Sequence, residues 1–418
     1  MTINKLQRPG GTKDFLPDLA AKKEYIEDQL NEVFTKWGYE KIITPTIEYY
    51  DLLSEATEGL QTKMYKFFNR KGEIIALRPE MTAPIARLVA TELKEEPLPL
   101  RLAYQSNVFR YETPRAGRYR EFYQAGIELF GVKTPLGDAE VIAIAAQSLE
   151  QAGLKNFKID IGDVDYFTGI MEAANLPNSL QNKVRTALSS RNFVELEELL
   201  TASNLTFEQQ EAILKGARLR GGPSVLKEAK ELIANQASLQ ALENLKEVYH
   251  NLKLLGVASH ICIDLGVVRS FDYYTGIVFE GYSQDLGYTI CGGGRYDKLV
   301  EEFGYPISAT GFAIGVDRLL LSLQKQDYQF PDFKAGVLLL VNSENKQEGF
   351  ALAADLRQSG YQVELELIKR EIKEIIEYAS TKGLDRILAL DDQKLDLEFK
   401  RKEILGVKVK EISLRKGE

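Results

Sequence analysis

A hairpin with a short polar loop constrains this chain more than any other stretch. Residues 100–112 (LRLAYQSNVFRYE) and 120–131 (REFYQAGIELFG) both read as strands, separated only by the loop TPRAGRY. The spacing predicts an antiparallel pair, because a parallel return needs a crossover of about a dozen residues or more. In the second strand Gln124 and Glu128 share one face with Phe122, Gly126 and Phe130, while Glu121, Tyr123, Ala125, Ile127 and Leu129 share the other. Gly126 leaves space between the two polar groups. Two acceptors on one inner face suit a small cationic ligand. A solvated sheet face carries the same alternation, and this strand alone leaves both readings open.

Around the hairpin the pattern alternates. Residues 18–37 put Leu19, Ile26, Leu30, Val33, Phe34 and Trp37 near one helical face, with Gly38 ending the run. YEKIITPTIEYY reads as a strand interrupted at Pro45. PIARLVATEL and DAEVIAIAAQSLEQAG read as helices, the latter with Asp138 near its start and Gly153 past its end. Residues 165–258 turn helical, with a break at RGGPSVL, and form an expected helical insertion. The β pattern returns in ICIDLGVV, YTGIVFEGYS and LGYTICGGGRYDKLV, and TGFAIGVDRLLLSLQKQ reads as strand into helix. These segments make one expected core, 1–325, followed by a linker at 326–334. The tail, 335–418, alternates apolar strands (AGVLLLV, YQVELEL, DRILALD) with two helices, which predicts a small α/β unit with a mainly parallel sheet.

Bulk properties exclude several classes. With 418 residues, 44% of them hydrophobic, the chain can bury a large core. A net charge of −8 argues against a surface that grips nucleic acid throughout, and acidic and basic residues nearly cancel in 331–418. The first residues are polar without an apolar core, and no run of about 18 apolar residues occurs, so the expectation is a cytoplasmic protein with no membrane span. Cys262 and Cys291 lack metal-site spacing, and two histidines, His250 and His260, leave little room for a metal centre. Neither a metal nor a cofactor is expected.

Polar residues gather at the ends of the predicted β elements. LRPEMTAPIAR is an Arg-Pro-Glu turn into a helix that presents Glu80, with bulky Met81 beside it. Arg110 ends the first hairpin strand, and Arg118 and Arg120 flank Tyr119 just past the loop. VVRSFDYYTGIVFEGY supplies Arg269, Asp272, Tyr273 and Tyr274; a guanidinium there can bind a carboxylate or phosphate, or the group is a strand-end ion cluster. CGGGRYDKL allows a close backbone approach but lacks dinucleotide spacing, and no phosphate-loop motif is present. Arg318 opens an apolar helix. Together, carboxylates for an amino group and arginines for a carboxylate or phosphates describe an amino-acid site.

Taken in order, GTKDFLP, LRPEMTAPIAR, VFRYETPRAGRYREFYQAGIELFG, VRSFDYYTGIVFE, GGGRYDKLVEEFG and ATGFAIGVDRL resemble the histidyl-tRNA synthetase core across about residues 8–325. The resemblance implies an α+β fold of the class II aminoacyl-tRNA synthetase type, an antiparallel sheet flanked by helices. It extends to a paralogous non-aminoacylating family, the regulatory subunits of ATP phosphoribosyltransferase, which serve the first step of histidine biosynthesis. Synthetases typically read Gly where this chain has Met81, and Gly-Pro-Met-Phe-Arg where it has Ser106-Asn107-Val108-Phe109-Arg110. QAGIELFG, ATGFAIGVDRL and the GGPSVLKEA insertion resemble the regulatory family.

The resemblance therefore implies a non-catalytic regulatory subunit, with a histidine–tRNA ligase as the alternative. Its implied histidine site has Glu80, Thr82 and Gln124 on the α-amino group. Arg110 and Arg269 face the carboxylate, and Glu128 and Tyr274 read the imidazole beside Tyr273. Arg110, Arg269 and Arg318 also match arginines that synthetases place on ATP phosphates, so Arg110, Arg118 and Arg318 form an implied vestigial ATP site. The tail resembles part of an anticodon-binding domain, although its neutral charge gives no support for nucleic acid. The implied partners are a short-form catalytic subunit and L-histidine as effector. The implied assembly is a hetero-oligomer built on a homodimer that joins through the first helix and the IITPTIEYY strand.

Overall fold

A computed structural model describes residues 6–57, 59–113, 117–267, 273–283, 287–331, 336–368, 370–390 and 400–414. Two compact units result, Met1–Tyr328 and Gln329–Glu418.

Among the described residues of the first unit, nine strands form the main sheet. In chain order they are β1 (Glu40–Lys41), β2 (Leu100–Phe109), β3 (Glu121–Phe130), β4 (Phe157–Asp163), β5 (Arg220–Gly221), β6 (Ile261–Asp264), β7 (Ile277–Ser283), β8 (Thr289–Arg295) and β9 (Ala309–Gly315). Their spatial order is β1-β2-β3-β9-β8-β7-β4-β6-β5. Neighbours run antiparallel except at β1–β2 and β4–β6. The hairpin that the sequence demands is β2–β3, with Leu102 opposite Glu128 and Ser106 opposite Gln124. The α+β, class II synthetase-like architecture follows from this sheet and the helices against it.

Helix α1 (Pro17–Lys36) starts on a proline, whose fixed φ suits a first turn, and buries Ile26, Leu30, Val33 and Phe34. Phe34 meets Phe312 of β9 edge-on at 6.0 Å, so α1 lies against the sheet. Pro45 divides its segment between two sheets. Glu40–Lys41 joins β2, whereas Ile47–Tyr49 pairs with Ile74–Leu77 in a small antiparallel sheet that also holds Lys66–Phe68. A proline has no N–H to donate to a ladder, which favours the break there. Residues 165–258 form a run of helices from Asp165–Ala173 to Gln236–Leu254, with β5 between them.

The second unit packs helices Lys346–Gln358 and Ile372–Lys382 on a five-stranded sheet. That sheet is mixed, against the expectation of a mainly parallel one. Strands Lys400–Ile404 and Val407–Ser413 add an antiparallel hairpin. Leu405 and Gly406 turn it, with φ of 52° and 80°, the two positive angles that a tight two-residue turn needs. The strand KRKEI is too rich in charge to read as half-buried.

Helix α2 (Pro135–Gln151) is tied to the sheet by a buried ion pair. Arg295, at the end of β8, meets Asp138 through Nε–Oδ2 at 3.1 Å and Nη2–Oδ1 at 3.0 Å, with both side chains almost wholly buried. Arg295 also donates to Val132 O and Asp297 Oδ1. Asp138→Ala strands a buried guanidinium and should cost about 3–5 kcal/mol in chemical denaturation. The double change Asp138→Leu with Arg295→Met should recover much of that loss.

Candidate functional site

The first unit contains a cavity of about 580 Å³ over the middle of the main sheet, lined in part by glycines of β8 and β9. In register, Gly311 of β9 lies opposite Glu128 of β3, and Tyr104 of β2 lies opposite Gly126. A Cβ at Gly311 would collide with Glu128 Oε2, and one at Gly126 would stand 2.6 Å from the Tyr104 hydroxyl. Only glycine leaves room for these side chains to turn inward.

Glu128 forms the floor. It is 1% exposed, and Thr82 Oγ1 donates to its Oε1 at 3.0 Å while the Tyr296 hydroxyl donates to Oε2. Burial pushes its carboxyl up to about 8, against the pull of those two hydrogen bonds. Tyr296 meets Tyr273 edge-on at 5.9 Å, and Tyr273 and Tyr274 are 4.8 Å apart. Tyr274 fills the space beside Gly294, where a Cβ would stand 2.9 Å from its ring. Gln124 lines the same cavity.

Glu80 is placed by its neighbour. Buried Arg78 donates to Asn107 O at 2.9 Å, Thr44 O at 2.8 Å and Pro45 O at 3.1 Å, which fixes the turn against β2. Glu80 then accepts from the backbone N–H of Thr82 at 2.6 Å and of Ala83 at 2.8 Å, so both oxygens serve the start of helix Thr82–Glu92. Burial raises its carboxyl, opposed by those two donors. Glu80 lines the cavity, but in this structure its oxygens are engaged by its own helix. Met81 lines the cavity beside Glu80, and its side chain is 1% exposed and packs into the apolar cluster with Ile85, Val89 and Tyr104.

Arginines gather around another part of the cavity. Arg110 donates from Nε to Pro79 O at 2.7 Å and lies over the Phe122 ring. Arg118 pairs with Glu112 at 3.1 Å, and Lys63 joins that carboxylate at 3.2 Å. Arg318 donates to Thr289 O at 2.5 Å and to Gly117 O at 3.3 Å. Burial lowers the Arg318 guanidinium, and the nearby charges of Arg118 and Arg110 lower it further. All three arginines line the cavity. Three cations this close favour an anion.

Of the residues expected from sequence, Glu80, Thr82, Arg110, Arg118, Gln124, Glu128, Tyr273, Tyr274 and Arg318 come together here. Arg269 and Asp272 lie outside the described residues. Arg120 turns away to hold the N-terminal segment, donating to Gly10 O and Glu112 O. Tyr104, Glu112 and Tyr296 also line the cavity, although the sequence does not mark them. The signal for Tyr104 is a large ring set against Gly126, and for Tyr296 a hydroxyl that meets Glu128, both legible only once the register is known. His260 stacks on Phe157 at 4.2 Å and meets Glu150 at 2.7 Å, a structural role. Among the described residues no cluster of His, Cys, Asp and Glu could hold a metal ion, and no helix is long and apolar enough to cross a membrane.

Two outcomes follow from this geometry. Gly311→Ala should displace Glu128 and lower the thermal midpoint by several degrees, since overpacking costs about 1–3 kcal/mol. The second concerns pH. An unfolded glutamate ionises in its ordinary range near 4.5, whereas folded Glu128 keeps its proton to about 8. Folding therefore takes up a proton between those values, and stability falls as pH rises through that window. Glu128→Gln removes this contribution, so its urea midpoint should fall less between pH 5 and 8 than that of the unaltered protein.

Comparison with known proteins agrees with this fold. The family model for histidyl-tRNA synthetase matches residues 11–319. The chain is 36% identical over 411 residues to the ATP phosphoribosyltransferase regulatory subunit of Acetivibrio thermocellus, covering 98% of each chain. It is also 37% identical over 400 residues to the histidine–tRNA ligase of Methanocaldococcus jannaschii, covering 94% of each. Among solved structures, an ATP phosphoribosyltransferase regulatory subunit/histidyl-tRNA synthetase from Bacillus halodurans superposes with a TM-score of 0.83 at 35% identity, over 90% of this chain and 97% of that one. The chain belongs to the ATP phosphoribosyltransferase regulatory subunit family, within the wider group of histidyl-tRNA synthetase-like proteins.

Proposed function

We propose that this protein is a non-catalytic regulatory subunit of ATP phosphoribosyltransferase. It is required for activity of a short-form catalytic subunit and mediates histidine feedback inhibition of the first step of histidine biosynthesis. It acts in the cytoplasm, as a homodimeric core within a hetero-oligomer. The observation that carries this reading is the buried Glu128 floor, with hydroxyl donors on both oxygens and a tyrosine pair beside it. Such a floor suits the imidazole of histidine, with Tyr274 beside it. Thr82, Gln124 and Glu80 would then meet the α-amino group, the last by sharing a carboxylate that already caps its helix, and Arg110 and Arg269 would meet the carboxylate. A buried polar site of this kind rejects analogues that leave its groups unpaired. Regulation is then linkage: histidine binds the inhibited assembly more tightly than the active one, and so shifts the balance between them.

A histidine–tRNA ligase is the second reading. It is favoured by Arg110, Arg118 and Arg318 around one cavity, where an adenylate phosphate could lie, and by the resemblance to the Methanocaldococcus jannaschii enzyme. On the regulatory reading these arginines are a vestigial ATP site.

Histidine-dependent ATP–pyrophosphate exchange on the folded protein separates the two. The regulatory reading expects none, and robust exchange would overturn it. In the complex with its catalytic partner, Glu128→Ala should abolish inhibition by histidine while activity without histidine persists. An unchanged inhibition curve would place the effector elsewhere.

A further inference from the structure

The insertion contributes to the cavity. Arg185 and Ser189, on one face of helix Asn178–Ser189, line it together with Arg110, Arg118 and Arg318. Arg185 is half-buried, and its Nη2 donates to Thr168 Oγ1 at 3.2 Å. Thr168 in turn donates to Val164 O at 3.0 Å, at the start of helix Asp165–Ala173, which follows β4 directly. The guanidinium is thus held from the sheet through one short relay. A second cavity of about 920 Å³ lies between the insertion and the rest of the first unit, and Arg185, Tyr273 and Tyr274 line both spaces. Arg185 therefore belongs to the same partition as the tyrosine pair. Tyr273 touches Tyr296, and Tyr296 holds Glu128.

We propose that Arg185 is a specificity-determining residue of the cavity, joining the arginines already assigned to the carboxylate of the amino acid whose side chain rests on Glu128. This rests on the reading of the cavity as a histidine site. A planar guanidinium whose one edge is already fixed by Thr168 presents its remaining donors in a set direction, the geometry that a carboxylate accepts. Because Arg185 comes from the insertion and Glu128 from the sheet, one ligand bridges two parts of the first unit.

Calorimetric titration of the full chain with L-histidine and with histamine, which lacks the carboxylate, tests this. The unaltered protein should prefer histidine. Arg185→Ala should weaken histidine binding by about 10- to 100-fold, the range for a hydrogen bond to a charged group, and leave histamine binding unchanged. Arg185→Lys, which keeps the charge without the fork, should give a smaller loss confined to histidine. Equal losses for both ligands, or an unchanged histidine affinity in Arg185→Ala, would overturn the assignment while leaving the histidine site standing. An unaltered protein that binds neither ligand would overturn the histidine site itself, and this assignment with it.

Discussion

A carboxyl group buried in the middle of a β-sheet is the constraint around which the first unit is arranged. Burying such a group without partners is costly, and the cost falls only when both oxygens are hydrogen-bonded and its proton is retained. Glu128 meets both conditions, through Thr82, Tyr296 and a carboxyl shifted to about 8. Each partner comes from a different segment. Thr82 begins the helix after the Arg-Pro-Glu turn, and Tyr296 follows the glycine-rich strand, while Gly311 yields the volume. Displacing any of these moves the others, because the contacts are shared rather than parallel.

The opposite electrostatic arrangement surrounds Arg110, Arg118 and Arg318. There a cation is depressed by burial and by like charges, and Glu112 answers only part of the excess. One cavity thus joins a proton-holding acid to a cluster of arginines. An amino acid has that polarity, and so does an amino acid together with a phosphate. The geometry by itself fits binding equally well in both cases. What separates a binding site from a catalytic one is whether its groups match the bound ligand or the charge that develops during reaction.

Much of this was legible in the sequence, for identifiable reasons. The β2–β3 hairpin and the shared face of Gln124 and Glu128 follow from strict alternation and a short loop, both local properties. The roles of Tyr104 and Tyr296 were not legible, since each depends on a partner across the sheet: Gly126 for the first, Glu128 for the second. Glu80 illustrates a different limit. Its type and position mark it as a ligand-facing carboxylate, yet two backbone N–H groups within three residues compete for the same oxygens. The hairpin at 400–413 escaped because its first strand, KRKEI, carries charged residues where an apolar alternation would signal a strand.

The location of the cavity bears on how a binding protein could regulate a partner. A ligand shifts an equilibrium only through unequal affinity for two states. A pocket built wholly within one rigid sheet would bind its ligand equally well whatever the rest of the chain does. Here the lining comes from the sheet and from the helical insertion, and a second space of about 920 Å³ is lined by residues of the insertion and of the core. Arg191 and Arg220 clasp the insertion to Asp264 and Asp160 on β6 and β4, away from the cavity. An element anchored along one side and lining a ligand pocket on another can change the pocket by tilting. On the proposed regulatory reading, such a tilt would give two states unequal affinity without chemistry on the ligand.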